Sequence, residues 1–344
     1  MPVSDAVANL DDVRALLAAL PGADDAAVRA CRARNAELTK PAGALGRLEE
    51  LAEWLAAWQG RHPPRLERVL LLVFVGWHGV TARGVSAYPA EVTGQMVANF
   101  AAGGAAINQL ARLAGAELRV IRVADGRPTA DFTRAPAMSA QGCARAIAAG
   151  MEAVPEGVDL LAIGEMGIGN TTPAAAMAAA LAGEEASRWA GPGTGLDREG
   201  VHHKAEVIDA GLSLHRAALT DPLAILRHVG GREHAAMLGA VLGARLRRTP
   251  VLLDGFTATV PGALLQAMRP DAIAHCQIGH CSAEPGHRRL LERLGRRPVL
   301  DLGMRLGEAS GAALAVQIVR AALACHAGMA TFGEAQVSTG HSTG

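Results

Sequence analysis

The stretch Gly164-Glu165-Met166-Gly167-Ile168-Gly169-Asn170-Thr171-Thr172-Pro173 decides the fold of this 344-residue chain. It follows an apolar run at residues 158–163, which predicts a buried strand, and precedes an alanine-rich run at residues 174–181, which predicts a helix. A strand, a glycine-rich turn and a helix in this order form a cradle for a phosphate group, because the turn exposes backbone N–H groups and the helix start adds partial positive charge. One carboxylate, Glu165, stands at the strand end beside this cradle.

A tight turn without a ligand is the simpler interpretation of the same residues. Two well-known phosphate loops are excluded: Thr172 stands where the dinucleotide fingerprint has its third glycine, and no Gly-Lys-Ser/Thr closes the turn as in a Walker loop. A mononucleotide phosphate therefore fits the stretch better than a dinucleotide or a triphosphate.

Strands and helices alternate along the rest of the chain. Apolar runs predict strands at residues 69–75, 118–123, 159–163, 250–254, 271–278 and 298–302. Helical periodicity is found at residues 7–20, 26–38, 48–58, 91–114, 174–181, 202–219, 233–246 and 312–323. The pattern predicts an α/β fold with an open, mostly parallel, Rossmann-like sheet and helices on both faces. We expect a small helical subdomain at residues 1–60, completed by the C-terminal helix, an α/β domain at residues 61–330 and a tail at residues 331–344.

Composition limits the classes of partner. The chain has 33 basic and 33 acidic residues, which predicts no general attraction to nucleic acid or to an anionic membrane surface. No uninterrupted apolar run reaches the roughly 18 residues of a membrane-spanning helix, and the N-terminus lacks a basic segment followed by an apolar one. The five cysteines form no C-x-x-C pair, which is typical of a reducing compartment. We expect a cytoplasmic protein.

The run His275-Cys276-Gln277-Ile278-Gly279-His280-Cys281, with His287 beyond it, invites comparison with a zinc site. Its spacing matches no structural zinc pattern, and neighbouring residues on a strand point to opposite faces. We predict no metal there.

Residues that follow the predicted strands are unusually rich in glycine and ionisable groups. They are His78 and Gly79, Asp125 and Gly126, Glu165, Asp254 to Phe256, His280 to Ser282 with Glu284, and residues 303–308. Ligands of open parallel sheets bind beyond the carboxyl ends of the strands. The sequence therefore predicts a catalytic cleft at this edge.

Glu308 is the second candidate base. It lies among glycines and apolar residues, where partial burial raises the pKa of a carboxyl towards that of a working base, although the helix that follows acts in the opposite direction. A glutamate that merely stabilises the dipole of its own helix is the alternative.

Taken together, the motifs identify a family resemblance. They are the run from Glu165 to Thr172, Gly193-Thr194-Gly195-Leu196-Asp197, Asp254-Gly255-Phe256, Ser282-Ala283-Glu284-Pro285-Gly286-His287, Leu306-Gly307-Glu308 and His326-Ala327-Gly328-Met329-Ala330-Thr331-Phe332. Across residues 35–338 the chain resembles nicotinate-nucleotide:dimethylbenzimidazole phosphoribosyltransferase. The resemblance implies transfer of 5-phosphoribose from nicotinate mononucleotide to a benzimidazole nitrogen, with inversion at C1′ and release of nicotinate, for the lower ligand of cobalamin. It also implies a homodimer, and the reaction requires no metal or cofactor.

The resemblance also assigns site residues. Glu308 is the implied general base, and Glu165 is a second carboxylate that steadies the cationic transition state or partly substitutes as base. The implied phosphate and nucleotide contacts are Gly167, Gly169, Asn170, Thr171, Thr172, Gly193, Gly195, Lys204 and Ser282. The implied contacts of the aromatic base are Ser86, Tyr88, Gln95 and Leu306. Without the resemblance, Lys204 would be interpreted as a solvated helix lysine.

One residue departs from the family pattern. The family usually has an aspartate before His-Gly-Val, whereas this chain has Trp77 before His78-Gly79-Val80. The departure leaves the acceptor open among dimethylbenzimidazole, other azoles such as adenine, and phenols. Two other classes also stay open: a different enzyme on a similar sheet, such as a nucleoside phosphorylase or a nicotinamide-using oxidoreductase, and a non-catalytic binder of a nucleotide or benzimidazole.

Overall fold

A single parallel sheet organises the chain, as the computed structural model of residues 7–338 describes it. Its strands are β1 (Val69–Val75), β2 (Glu117–Arg122), β3 (Leu160–Met166), β4 (Val251–Leu253), β5 (Cys276–His280) and β6 (Pro298–Leu300). Every pairing is parallel, and the spatial order is β2-β1-β3-β4-β5-β6. The predicted fold class is confirmed.

Helices cover both faces of this sheet. They are α1 (Leu10–Ala18), α2 (Asp25–Glu37), α3 (Arg47–Gln59), α4 (Val92–Ala102), α5 (Ala106–Ala114), α6 (Ala140–Glu152), α7 (Thr171–Ala182), α8 (Arg198–His215), α9 (Pro222–Val229), α10 (Arg232–Leu246), α11 (Phe256–Met268), α12 (Pro285–Leu294), α13 (Ser310–Gly328) and α14 (Phe332–Ala335). One apolar core lies between the sheet and α6, α7, α10 and α11, and the other lies between the sheet and α3, α5 and α13.

The strand order fixes where a ligand can bind. The chain leaves β1 for the edge strand β2 and then returns to the opposite side of β1 as β3. The crevice between diverging connections opens at such a reversal, beyond the carboxyl ends of the strands. Phe74 pairs with Glu165 and Val75 with Met166, so Glu165 lies at this reversal.

The N-terminal helices pack on different parts of the chain: α1 lies against α6 in the first core, whereas α3 belongs to the second. Helix α3 packs on α2 and on α13, and Leu38 forms a backbone bridge with Thr331 beyond α13. The division into a helical subdomain at residues 1–60, completed by the C-terminal helix, and an α/β domain stays a prediction. Residues 339–344 of the predicted tail lie outside the described residues.

Helix α13 is 19 residues long and apolar enough, by length and composition alone, to cross a membrane. It packs against α3, α5 and β5, and Ala312, Ala315, Val316 and Val319 are buried in the second core. These contacts are those of a core helix.

Several predicted elements differ from the observed ones. The helix predicted at residues 91–114 is two helices, because Gly103 ends α4 in the left-handed conformation that a helix C-terminus favours. The strand predicted at residues 271–278 is confined to Cys276–His280, and β3 extends through Glu165 to Met166. Helix α8 starts earlier than predicted, at Arg198, since the Asp197 side chain accepts the N–H of Gly200 and caps it.

Candidate active site

A cavity of about 420 Å³ opens at the carboxyl edge of the sheet. Nine of the predicted site residues line it: Tyr88, Glu165, Gly167, Asn170, Thr171, Gly193, Ser282, Leu306 and Glu308. The other six, Ser86, Gln95, Gly169, Thr172, Gly195 and Lys204, are not on its wall. The structure thus brings both candidate carboxylates and most of the cradle into one cleft.

The cradle begins where β3 ends. Asn170 N–H donates to Gly167 O at 3.1 Å and Thr172 N–H to Gly169 O at 3.0 Å, which folds the turn tightly into the start of α7. Gly169 has a φ of 83°, a value that favours glycine. At Gly167 a Cβ would lie 2.6 Å from Gly76 O, so only glycine allows the turn to lie this close to the end of β1.

Glu308 is held in an unusual backbone conformation. It has a φ of 62° and the following Ala309 a φ of 61°, both in the left-handed region that non-glycine residues rarely occupy. Glu308 N–H donates to Glu165 O at 3.0 Å, which joins this turn to β3. A side chain at Gly164 would overlap the backbone of Ala309, so glycine there permits the approach. Backbone strain of this kind persists where surrounding contacts over-determine it, and it clusters at functional sites.

The protonation of the two predicted carboxylates follows from their burial. Glu308 is only 4% exposed, and within residues 7–338 its Oε2 has no hydrogen-bond partner. Burial, together with the nearby charge of Asp254, raises the pKa of Glu308 to about 7. Burial and the charges of Glu233, Asp254 and Glu308 raise the pKa of Glu165 well above its ordinary value, although Asn170 Nδ2 donates to its carboxylate. With a pKa of about 7, Glu308 exchanges a proton readily near neutral pH, whereas burial and its acidic neighbours favour the uncharged form of Glu165.

Lys204 lies behind the cavity wall. Its Nζ donates to Thr171 Oγ1 at 2.7 Å and to Gly191 O at 3.1 Å, and the residue is fully buried. Burial lowers the pKa of Lys204 to about 8, against the attraction of Glu284. The same Glu284 accepts the N–H of Gly193 at 2.8 Å. Lys204 is therefore not the solvated helix lysine that the sequence alone suggests. It connects α7, through Thr171, to the glycine-rich loop that contains Gly191 and Gly193.

Three loops meet at the mouth of the cleft. Ser86 Oγ lies 3.1 Å from Thr194 Oγ1, and Arg305 Nη1 donates to Gly193 O at 2.6 Å. Tyr88 and Leu306 line the mouth, and each is 54% exposed. Gln95 is exposed on α4, the helix that also contributes Val92 and Met96 to the wall.

Trp77 lies outside the cleft. Its ring is 5.9 Å from the guanidinium carbon of Arg122, and it does not line the cavity. The adjacent His78 is buried, and its Nε2 lies 2.9 Å from Glu233 Oε1, which is also 2.7 Å from His234 Nδ1. Burial alone would raise the pKa of Glu233, but the two histidines lower it. This arrangement agrees with a structural role for His78.

The histidines of the apparent zinc motif have separate partners. His275 Nε2 lies 3.0 Å from Val241 O, and His280 Nε2 lies 3.6 Å from Asp254 Oδ1. His287 Nδ1 accepts the N–H of Ser282 at 2.8 Å, which fixes Ser282 in the cleft. Within residues 7–338 no three His, Cys, Asp or Glu side chains gather in a way that could hold a metal ion.

Several wall residues have no assigned role in the sequence prediction. Asp254, Gly255, Phe256, His280, Glu284, Arg305 and Gly307 are among the residues that follow predicted strands, and Met166 and Ile168 belong to the cradle stretch. Val92, Met96, Thr194 and Thr257 are in neither set. Arg305 follows β6 closely, so its position identifies the segment without singling out its side chain.

Comparisons with known proteins agree with this architecture. A family model described as a phosphoribosyltransferase matches residues 20–337. A nicotinate-nucleotide–dimethylbenzimidazole phosphoribosyltransferase of Mesorhizobium japonicum is 58% identical over 330 residues, which cover 96% of this chain and 98% of the relative. The enzyme of that name from Sinorhizobium medicae is 56% identical over 95% of this chain and 97% of its own length. The crystal structure of CobT from Thermus thermophilus superposes with a TM-score of 0.85 at 44% identity, over 92% of this chain and 100% of that one.

Proposed function

The chain belongs to the nicotinate-nucleotide–dimethylbenzimidazole phosphoribosyltransferase family, and from that premise we propose how its cleft transfers a phosphoribosyl group. Nicotinate mononucleotide is the donor and dimethylbenzimidazole the acceptor, and the products are α-ribazole 5′-phosphate and nicotinate. The product supplies the lower ligand of cobalamin.

One observation carries the proposal: a buried carboxylate with a pKa of about 7 lies in the same cleft as a strand-to-helix glycine turn. A benzimidazole nitrogen attacks C1′, and the bond from C1′ to the pyridinium nitrogen breaks with its electron pair going to nicotinate. The leaving nitrogen becomes neutral and needs no proton. The acceptor must lose its N–H proton as the new bond forms, and Glu308 receives that proton. General-base assistance of this kind contributes about 10² to 10⁴ in rate.

Glu165 has a smaller role. Burial and the acidic neighbours raise its pKa and so favour the uncharged carboxyl, which weakens its first predicted role, steadying a cationic ribosyl group. The second predicted role, in which Glu165 partly substitutes as base, fits better. Glu308 N–H donates to Glu165 O, so the two residues are neighbours in space. Removing the charge of Glu308 lowers the pKa of Glu165 and makes it a better substitute.

Binding roles follow from the two sides of the cleft. Gly167 and Thr171, at the start of α7, present backbone and hydroxyl groups to the 5′-phosphate, where the helix start favours an anion. Lys204 acts through Thr171 and Gly191, to which it donates, and Ser282 lies near the nucleotide. The flat acceptor lies among Tyr88, Val92, Met96 and Leu306 at the apolar mouth.

The assay is direct. Purified protein is incubated with nicotinate mononucleotide and dimethylbenzimidazole, and free nicotinate and the riboside product are quantified by chromatography. We expect both products in equal amounts. Parallel reactions with adenine and p-cresol test the alternative acceptors. Binding of either substrate without release of nicotinate from the donor, whichever acceptor is added, would show a non-catalytic binder instead.

A homodimer in the cytoplasm completes the proposal. The exposed Tyr88 and Leu306 at the cleft mouth are large side chains that a second copy of the chain would cover. The five cysteines are free thiols, which suits a reducing compartment. Light scattering after size exclusion should give twice the 35.4 kDa mass of one chain. A monomer that is fully active would contradict the dimeric part of the proposal.

A further inference from the structure

A third carboxylate of the cleft, Asp254, has no role in the chemistry described so far. It follows β4, lines the cavity and is only 1% exposed. Its Oδ1 accepts the N–H of Ala312 at 2.8 Å, and the backbone N–H groups of Gly311 and Ala309 face the same carboxylate and lower its pKa. Asp254 therefore holds the start of α13, directly after Glu308.

The turn that Asp254 holds is the strained one. Gly307, Glu308 and Ala309 have φ values of 80°, 62° and 61°, three left-handed residues in succession. Non-glycine residues are strained in this region, so outside contacts must keep the turn in place. Glu165 O accepts the N–H of Glu308 on one side of the turn, and the carboxylate of Asp254 accepts the N–H of Ala312, in the first turn of α13, on the other.

The charge of Asp254 also acts on Glu308. Burial raises the pKa of Asp254 to about 6, and the attraction of His280 and the three backbone N–H donors oppose that rise. Once ionised, Asp254 disfavours a second negative charge in the cleft. Besides Glu308, the ionisable groups that face Asp254 are His280, whose Nε2 is 3.6 Å from Oδ1, and Glu165, whose pKa is also raised.

We propose that Asp254 is a positioning residue for the general base: its carboxylate fixes the left-handed turn that carries Glu308 and places a negative charge in the same cleft. The inference rests on the proposed function, because proton transfer to Glu308 is the step that it serves. A base of higher proton affinity removes the acceptor proton more effectively, at the cost of needing a higher pH to be ionised.

Asp254→Asn separates charge from shape, since the amide oxygen can still accept backbone N–H groups of the turn. We expect the acid limb of kcat/KM to move to lower pH by about one unit or more, the shift typical of removing a close like charge. The plateau should fall by a few fold, because the base is weaker. Asp301→Asn, which removes an exposed aspartate paired with Arg288, is the matched control and should leave the profile unchanged. A folded Asp254→Asn protein with an unshifted acid limb would overturn the proposal.

A second measurement needs neither the variant of Asp254 nor turnover. Wild-type protein is labelled with carboxyl-¹³C glutamate, and the Glu308 resonance is assigned by its loss in Glu308→Gln. Its chemical shift should show two inflections as pH changes, because the ionisation of one coupled group alters the ionisation of the other. A single inflection contradicts the role of Asp254, even if Asp254→Asn does not fold. Absence of nicotinate release by the wild type would instead contradict the proposed function, and the titration still tests the coupling.

Discussion

The two walls of the cleft are built on opposite principles. The carboxylate wall, Glu165, Asp254 and Glu308, uses buried ionisable side chains, and Glu308 is carried on a left-handed non-glycine backbone. The glycine wall, Gly167 with Thr171 and Gly193, presents mainly backbone, and its supporting charges, Lys204 and Glu284, bind its loops through hydrogen bonds. Side chains of tuned pKa suit proton transfer, whereas backbone N–H groups suit an anion that must only be held. We therefore expect mutations of the first wall to lower kcat and mutations of the second to weaken nucleotide binding.

The largest expected effect tests the carboxylate wall. Glu308→Gln removes the base and keeps the side-chain volume, so kcat should fall about 10²- to 10⁴-fold while KM for nicotinate mononucleotide changes little. Steady-state kinetics with Glu292→Gln, an exposed glutamate on α12, provides the control. Undiminished kcat in Glu308→Gln would remove the distinction between the walls.

The next effect tests the glycine wall. Gly167→Ala places a Cβ 2.6 Å from Gly76 O and 3.2 Å from His78 Nε2, so the turn must shift. Displacement by about 1 Å costs on the order of 10²-fold in activity, and here we expect the loss mainly in binding of nicotinate mononucleotide. Titration calorimetry measures that binding directly. Gly328→Ala, where a Cβ has no atom within 4 Å, should bind normally. A variant at Gly167 that binds normally but has lost kcat would show that this wall takes part in the chemistry.

A stability measurement tests the carboxylate wall in the absence of substrate. Glu308 has a folded-state pKa of about 7, above its value of about 4.3 in unfolded chains, so the folded protein loses stability as pH rises between the two. Glu308→Gln removes this penalty. The variant should exceed the wild type by about 2–4 kcal/mol in free energy of unfolding at pH 8, and by little at pH 4. Urea unfolding at both pH values checks this. An equal difference at both pH values would mean that the raised pKa is wrong and that packing causes the change.

The two walls also differ in how far the sequence predicted them. The glycine wall is local: a strand, a turn and a helix adjacent in sequence predict it, and its main residues lie where expected. The fold could be predicted for the same reason, since each β-strand signal is local and short connections restrict the topology. The apolar pattern continues on both sides of Gly103-Gly104, so the sequence predicted one helix where the structure has α4 and α5.

The carboxylate wall depends on contacts between distant segments. Glu308 gains its conformation from Glu165 and Asp254, which lie 143 and 54 positions away in sequence. Its left-handed φ has no local signal. Its glycine and apolar neighbours did suggest a raised pKa, but the contribution of Asp254 to that shift has no local signal, so Asp254 was named only as a strand-end residue and as part of a family motif. Lys204 was misinterpreted without the family resemblance for a related reason: on α8 it faces Thr171 and Gly191, and helical periodicity does not distinguish a buried lysine from a solvated one.

The smallest effect concerns a contact between the base-side loop, which carries Ser86 and Tyr88, and the glycine wall. Ser86 Oγ and Thr194 Oγ1 are 3.1 Å apart at the cleft mouth, where solvent competes for both hydroxyls. A hydrogen bond of this kind contributes about 0.5–1.5 kcal/mol, so Ser86→Ala should lower kcat/KM by roughly two- to tenfold. Thr194→Val should have a similar effect, and the double variant should be little worse than either single variant, since both remove one interaction. Fully additive losses would mean that each hydroxyl contacts substrate separately, and the base-side loop would then act on the ligand itself instead of on the opposite wall.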